Sequence, residues 1–301
     1  MKKIFKILLI LFFMGLSVFV YLNIDSITDY LIRFFISQKE VVINPSNEYK
    51  REYQYKKFTY EDDYNPYNKD KLENIYFNLL NNGWDIFTFY CPKEYENCMY
   101  DVKAIGEDEE LISKINNYVS PFNSFVYMDT SMNNYGEISL TVHNVYTDED
   151  IININNEIDK ILNELNLNEL SDREKISKIY NYVIDNTSYD ETYELGVTES
   201  DSTNAKGALF NKIAVCSGYS DVMALFLDRF NIPNLKISSE NHIWNLVFVD
   251  NEWKHLDATW GDANTTRKNY RDKFFLITTE QLLDLDKEEH NFDTNFYLEL
   301  K

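Results

Sequence analysis

The sequence predicts an α+β fold. A helix carrying a cysteine packs on an antiparallel sheet carrying a histidine and an aspartate, and a small α+β region and an N-terminal transmembrane helix precede them. Three observations predict it. An uncharged apolar run extends from Ile7 to Leu22, and helix-spaced and strand-alternating segments interleave from Lys69 onward. Downstream, the stretch AVCSGYSDVMALF is followed by the ribbon-like HIWNLVFVDNEWKHLDATWGD.

The first element is MKKIFKILLILFFMGLSVFVYL. Lys2, Lys3 and Lys6 precede the uncharged run Ile7 to Leu22, and counted from Ile4 it has the length a helix needs to cross a bilayer. Lysines on the N-terminal side predict that this end stays in the cytoplasm and that the C-terminal bulk lies outside. No A-x-A-like cleavage site follows, since the first alanine is Ala104, and no cysteine stands just after the run for a lipid anchor. The segment therefore reads as an uncleaved signal-anchor, giving a single-pass protein held in the cell membrane by residues 4–22. A cleaved signal peptide and a secreted protein is the alternative. Residues 23–36 continue as an amphipathic juxtamembrane helix, so the anchor unit spans 1–36. Residues 37–68 are polar and tyrosine-rich, with Pro45 and Pro66, and read as a linker or stalk.

Residues 69–146 read as a small α+β domain. KDKLENIYFNLLNNG has apolar residues at helix spacing and a closing Gly83. WDIFTFYC and CMYDVKAI read as two strands whose neck is bridged by Cys91 and Cys98, a pairing that an oxidising compartment favours. EDEELISKINNYV reads as a helix with acids in its first turn. SFVYMDTS and GEISLTVHNVY alternate as strands joined near Asn133 and Asn134. Residues 147–301 form the last domain. It opens with the helix DEDIININNEIDKILNELN, and a second follows in SDREKISKIYNYVIDNT, where Ser171 and Glu174 have capping-box spacing.

The charge of −21 carried by 301 residues, without a basic stripe, excludes nucleic acid as a partner. The informative residue is Cys216. Pairing Cys91 with Cys98 leaves it the lone thiol of an extracytoplasmic chain. Val222, Met223, Leu225, Phe226 and Phe230 make an amphipathic helix ending before Ile232-Pro233. Cys216 stands at its first turn, where unpaired N–H groups and the positive helix end favour a thiolate. Gly218 allows another group to come close. Residues 242–249 and 252–259 read as a hairpin turning at Asp250-Asn251. With Val249 opposite Glu252, Trp244 faces Asp257, and Asp257 becomes a diagonal neighbour of His242 on one face. A thiol, an imidazole and a carboxylate in this relation are the parts of a nucleophile, a base and an orienting acid.

These residues carry a resemblance. NAKGALFNKIAVCSGYSDVMALF, HIWNLVFVDNEWKHLDATWGD and FFLITTEQL resemble the transglutaminase-like superfamily, a branch of papain-like cysteine enzymes, over roughly residues 165–285. Its bacterial members show C-x-G-Y, H-x-W-N and D-x-T-W segments in that order, and here they begin at Cys216, His242 and Asp257. The resemblance implies Cys216 as nucleophile, His242 as base and Asp257 as orienting acid, with no cofactor. It also implies a peptide or protein amide as substrate, and the expected outside location adds cell-wall peptide to the candidates. One departure is the glutamine that papain-type enzymes carry a few residues before the cysteine to help hold the oxyanion; Phe210-Asn211-Lys212 stand here instead. Asn204 and Asn211 are candidates for that donor, and Trp244 and Asn245 for support around the site. His255 shares the strand face of His242 and is its rival as base, while His143 and His290 are expected to be solvated. A zinc site of Cys216, His242, His255 and Asp257 is disfavoured, because close ligand pairs are absent. The expected activity is acyl transfer by a peptidase, amidase or transglutaminase. The alternative is a catalytically weak, membrane-anchored binding or scaffold protein.

Overall fold

The computed structural model describes residues 2–36, 41–193, 201–262 and 270–301. It begins with α1 (Lys2–Leu22), followed by α2 (Ile24–Ile36). Within α1, Ile4–Leu22 is long and apolar enough to cross a membrane, and none of that stretch is buried among the described residues.

Residues 41–68 form neither helix nor strand, yet they are not a free stalk. The reason lies in α3 (Lys69–Asn81), whose N-cap Asn68 accepts from the Lys71 N–H. Its asparagines at 74, 78 and 81 share one helical face and hydrogen-bond the preceding arm. Asn74 accepts from Thr59 N, Asn78 donates to Thr59 O, and Asn81 both accepts from Arg51 N and donates to Arg51 O. The stripe thus satisfies arm backbone that would otherwise be buried without partners. Tyr55, Phe58 and Tyr64 are buried with α3, and Arg51 forms a buried ion pair with Asp228 at 3.0 Å.

The β1 strand (Ile86–Tyr90) pairs with β3 (Glu137–Asn144), which also pairs with β2 (Phe125–Met132), giving an antiparallel sheet in the order β1-β3-β2. The expected strand CMYDVKAI is instead α4 (Cys98–Gly106). Cys98, Val102 and Ile105 are buried and lie at helical, not alternating, spacing. Cys91 and Cys98 are joined by a disulfide, with Cα atoms 5.6 Å apart; it ties the end of β1 to the first residue of α4 and does not neck a hairpin. Next comes α5 (Glu109–Asn116), capped by Asp108.

Two long helices then lead into the second sheet. They are α6 (Asp148–Leu165), with a Thr147/Asp150 capping box, and α7 (Asp172–Asn186), with the expected Ser171/Glu174 box. A short parallel pair, β4 (Ser188–Tyr189) and β5 (Ile213–Ala214), precedes α8 (Cys216–Arg229). The second sheet is antiparallel in the order β6 (Asn234–Ser238), β7 (Ile243–Val249), β8 (Glu252–Leu256), and α8 packs on β7 and β6. Asp250 and Asn251 both have positive φ (55° and 62°), as a two-residue primed hairpin turn demands. The short α9 (Ala258–Gly261) and α10 (Thr279–Leu285) complete the elements.

One apolar core joins the first sheet to the second. Phe87, Phe89, Ile138 and Leu140 cluster with Leu235, Ile237, Trp244, Leu246, Phe274 and Tyr297. This shared core crosses the boundary placed at residue 146. A second cluster lies between α6, α7 and α8.

Candidate active site

The hairpin register is Val249 opposite Glu252, and the last ladder pair is Asn245 opposite Leu256. The expected strand over 252–259 is thus shorter. Asp257 leaves the ladder to become the N-cap of α9, accepting from the Trp260 N–H through Oδ1 at 3.1 Å. Its other oxygen, Oδ2, lies 2.6 Å from His242 Nε2. His242 sits immediately before β7, in a turn where Ser239 N donates to His242 O and His242 N donates to Ser239 Oγ.

Cys216 is the first residue of α8 and is half-buried, with a free thiol. It is close enough to His242 to be one of the groups that raise the proton affinity of the imidazole. Because Nε2 is engaged by Asp257, the ring nitrogen left for the thiol is Nδ1. The N-cap is Val215, whose side chain cannot cap the first-turn amides. Gly218, in the same first turn, explains how the loop before the helix fits. A Cβ there would stand 2.6 Å from Ser202 O and 3.0 Å from Asn204 O, inside normal contact.

Burial alone opposes charge on both His242 and Asp257, and their mutual attraction reverses it. Burial lowers the proton affinity of His242, but the Asp257 charge and hydrogen bond, with Cys216, outweigh it and hold the imidazole well above its ordinary value. Burial pushes the Asp257 carboxyl up, yet His242 and His290 hold it below the usual carboxylate range. The pair is thus an imidazolium against a carboxylate.

His255, the rival base, is fully buried elsewhere in the network. Its Nδ1 accepts from Trp244 Nε1 at 3.0 Å, so the proton is on Nε2, which meets Thr279 Oγ1 at 3.0 Å. Burial, then the neighbouring His290, pushes this imidazole down to about 3, so at neutral pH it is uncharged. Trp244 stacks on His242 with ring centroids 5.5 Å apart, its N–H committed to His255. Asn245 is buried and donates to Ser220 O, fastening β7 to α8. Asn204 accepts from Lys206 N through Oδ1, with its carbonyl against Gly218. Asn211 is exposed and lines a cavity of about 490 Å³ with Asp150, Glu157 and Lys206, and none of Cys216, His242 or Asp257 lines it. Among the described residues, neither asparagine side chain hydrogen-bonds the thiol or the imidazole.

His143, expected in solvent, is partly exposed on β3, stacked on Tyr127 and 3.0 Å from Asp129. His290 overturns the same expectation. It is fully buried, and its Nε2 lies 3.0 Å from Asp257 Oδ2, the oxygen that also meets His242. It stands 33 residues from Asp257 in a segment without helix or strand, so neither periodicity nor strand register could have placed it there. His242, Asp257 and His290 also form a group whose ligand-type atoms lie within 4.8 Å of one another. Hydrogen bonds of 2.6 and 3.0 Å account for that closeness without a metal ion.

Residues 159–258 match the transglutaminase-like superfamily, a span that includes Cys216, His242 and Asp257 and ends before His290. The crystal structure of a TGase is similar at 17% identity and a TM-score of 0.35, over 45% of this chain and 44% of that one. This chain therefore spans less than half of that protein's length. No curated protein matches the sequence.

Proposed function

We propose that this chain, whose residues 159–258 form a transglutaminase-like domain, is a membrane-anchored, extracytoplasmic cysteine enzyme that opens amide bonds by acyl transfer. The observation that carries the reading is the buried His242–Asp257 pair, with the carboxylate 2.6 Å from the imidazole and the free thiol of Cys216 beside it.

The chemistry follows from that arrangement. With His242 already protonated, the Cys216 sulfur attacks as the thiolate paired with it, adding to the carbonyl carbon of a peptide or protein amide. Asp257 stabilises the imidazolium and fixes the ring so that Nδ1 faces sulfur. The Cys216 N–H, at an uncapped helix start, is the first donor to the oxyanion. The tetrahedral adduct collapses as the C–N bond breaks, and His242 returns the proton to the leaving amine. A thioester on Cys216 remains. Water releases an acid, or a primary amine forms a new amide; either nucleophile gives its proton to His242. Hydrolysis is the favoured outcome. Peptides at the cell surface, cell-wall peptide among them, are the proposed substrates, given an outside location predicted by Lys2, Lys3 and Lys6 ahead of α1.

Product mass spectrometry on a casein digest, with and without putrescine, tests the reading. New peptide termini or deamidated glutamine indicate hydrolysis, and a putrescine mass shift indicates transamidation. Both must vanish in Cys216→Ala. If the full-length protein leaves the digest unchanged and iodoacetamide alkylates Cys216 equally fast in wild type and His242→Ala, the enzymatic reading is overturned in favour of a binding protein.

A further inference from the structure

The oxygen of Asp257 that meets His242 serves two imidazoles. His290 Nε2 approaches Oδ2 at 3.0 Å and His242 Nε2 approaches it at 2.6 Å, while Trp260 N holds Oδ1. A carboxylate held by three donors cannot turn. Its charge is divided among them, so losing one donor concentrates it on the others.

The segment that delivers His290 is itself built into the site. Ser239 Oγ, in the turn before His242, donates to Glu289 O at 2.5 Å. Trp260 Nε1 donates to Glu289 Oε2 at 3.1 Å. Asp286 turns the chain beneath, accepting from Glu288 N and Glu289 N, and its carbonyl lies 3.2 Å from His290 Nδ1. Both nitrogens of His290 therefore face oxygens that only accept. Trp244, Trp260 and Phe274 enclose the ring, with centroids at 4.7, 5.1 and 5.5 Å. Packing alone would be served by any aromatic ring in that box; the bond to Asp257 requires an N–H.

We propose that His290 is a positioning residue of the triad, holding Asp257 by the oxygen shared with His242 and so setting how tightly His242 keeps its proton. The inference rests on the triad proposed above. The charged and titratable groups facing His290 are Asp257, His242, His255 from β8, and Asp286 and Glu289 from its own segment. His290 also meets His242 edge to face, with ring centroids 5.1 Å apart, and the hydrogen bonds that link the two imidazoles run through Asp257. Removing the His290 N–H leaves His242 as the one imidazole on Oδ2, so the ion pair tightens and His242 holds its proton to higher pH.

The chain has four histidines, so ring-proton NMR of full-length protein in detergent micelles resolves each one. His290→Phe keeps an aromatic ring without a donor, and His290→Gln restores an N–H. The expected result is an upward shift of the His242 midpoint by about one pH unit in His290→Phe, returning toward the wild-type value in His290→Gln. A purely structural His290 would lower thermal stability in both variants without moving that midpoint, and an unmoved midpoint overturns the proposal. If His290→Phe does not fold, His290→Met supplies a flexible apolar side chain for the same comparison. Failure of the triad itself reads differently: alkylating Cys216 in wild type would then leave the His242 signal unchanged.

Discussion

His242 and Asp257 meet at 2.6 Å just past the open end of the β7–β8 ribbon, where the ladder stops at Asn245 opposite Leu256. Within a ladder, side chains on one face stand fixed by the pleat. One step beyond it, the backbone of Asp257 turns into a helix cap and the backbone of His242 into a turn closed by Ser239, so each side chain can swing toward the other. The thiol then arrives from the first turn of α8, the helix packed on the same strands.

The first prediction concerns Cys216. The disulfide uses the other two cysteines, so alkylation reads this thiol alone. An ordinary thiol with a pKa near 8.5 is only about 0.3% ionised at pH 6. Iodoacetamide at pH 6 is expected to react with wild type at least tenfold faster than with His242→Ala, measured by mass spectrometry against time. Equal rates would show that the imidazole does not activate the sulfur.

The second prediction is a stability profile. His242 has a raised folded value, so its contribution is complete below the ordinary histidine pKa of about 6.5 and is lost as pH rises toward the folded value. Asp257 has a depressed folded value, so its contribution is complete above the ordinary aspartate pKa of about 3.9 and is lost as pH falls. The advantage of wild type over Asp257→Asn in urea unfolding should therefore be greatest between about pH 4 and 6.5 and shrink on either side. A difference that does not vary with pH would mean the two groups are not ionised together.

Most of this site was legible from residue type, order and register. Asp250-Asn251 fixed the turn, the turn fixed the pairing, and the pairing brought His242 and Asp257 to one end. The capping boxes at Thr147, Ser171 and Thr278 are likewise local signals. What escaped depends on tertiary contact. CMYDVKAI has strand-forming residues, but its helix is selected by the buried face Cys98, Val102 and Ile105 and by the disulfide. The packing of residues 41–68 depends on an asparagine stripe in α3 whose partners are backbone groups, which no side-chain pattern announces. His290 reaches the site through an irregular segment, and irregular backbone leaves no period to read.

The third prediction concerns the disulfide. Cys91 and Cys98 close a loop of seven residues' separation at the edge of the first sheet. In the chain-entropy account such a loop is worth about 2–3 kcal/mol. Cys91→Ser with Cys98→Ser should lower unfolding free energy by about that much, while the rate of Cys216 alkylation stays at the wild-type value. A changed alkylation rate would reveal coupling between that corner and the site through the shared core.

The fourth prediction tests the ion pair beneath α8. Lys236 Nζ lies 2.6 Å from Asp221 Oδ1, both side chains are almost wholly enclosed, and Tyr146 donates to the second carboxylate oxygen at 3.3 Å. Tyr146 in turn accepts from Ala205 N, so the chain of contacts runs from β6 through α8 to the loop that packs on Gly218. Taking two charges out of water costs about as much as their attraction returns, so the intact pair adds little net stability; removing one partner strands the other. Asp221→Asn is therefore expected to destabilise by about 3–5 kcal/mol in urea unfolding. The double variant Asp221→Leu with Lys236→Met should recover most of that loss. If the double variant is no better than the single one, the network's value lies in the Tyr146 bond and the loop it anchors, and Tyr146→Phe should then reproduce the defect by itself.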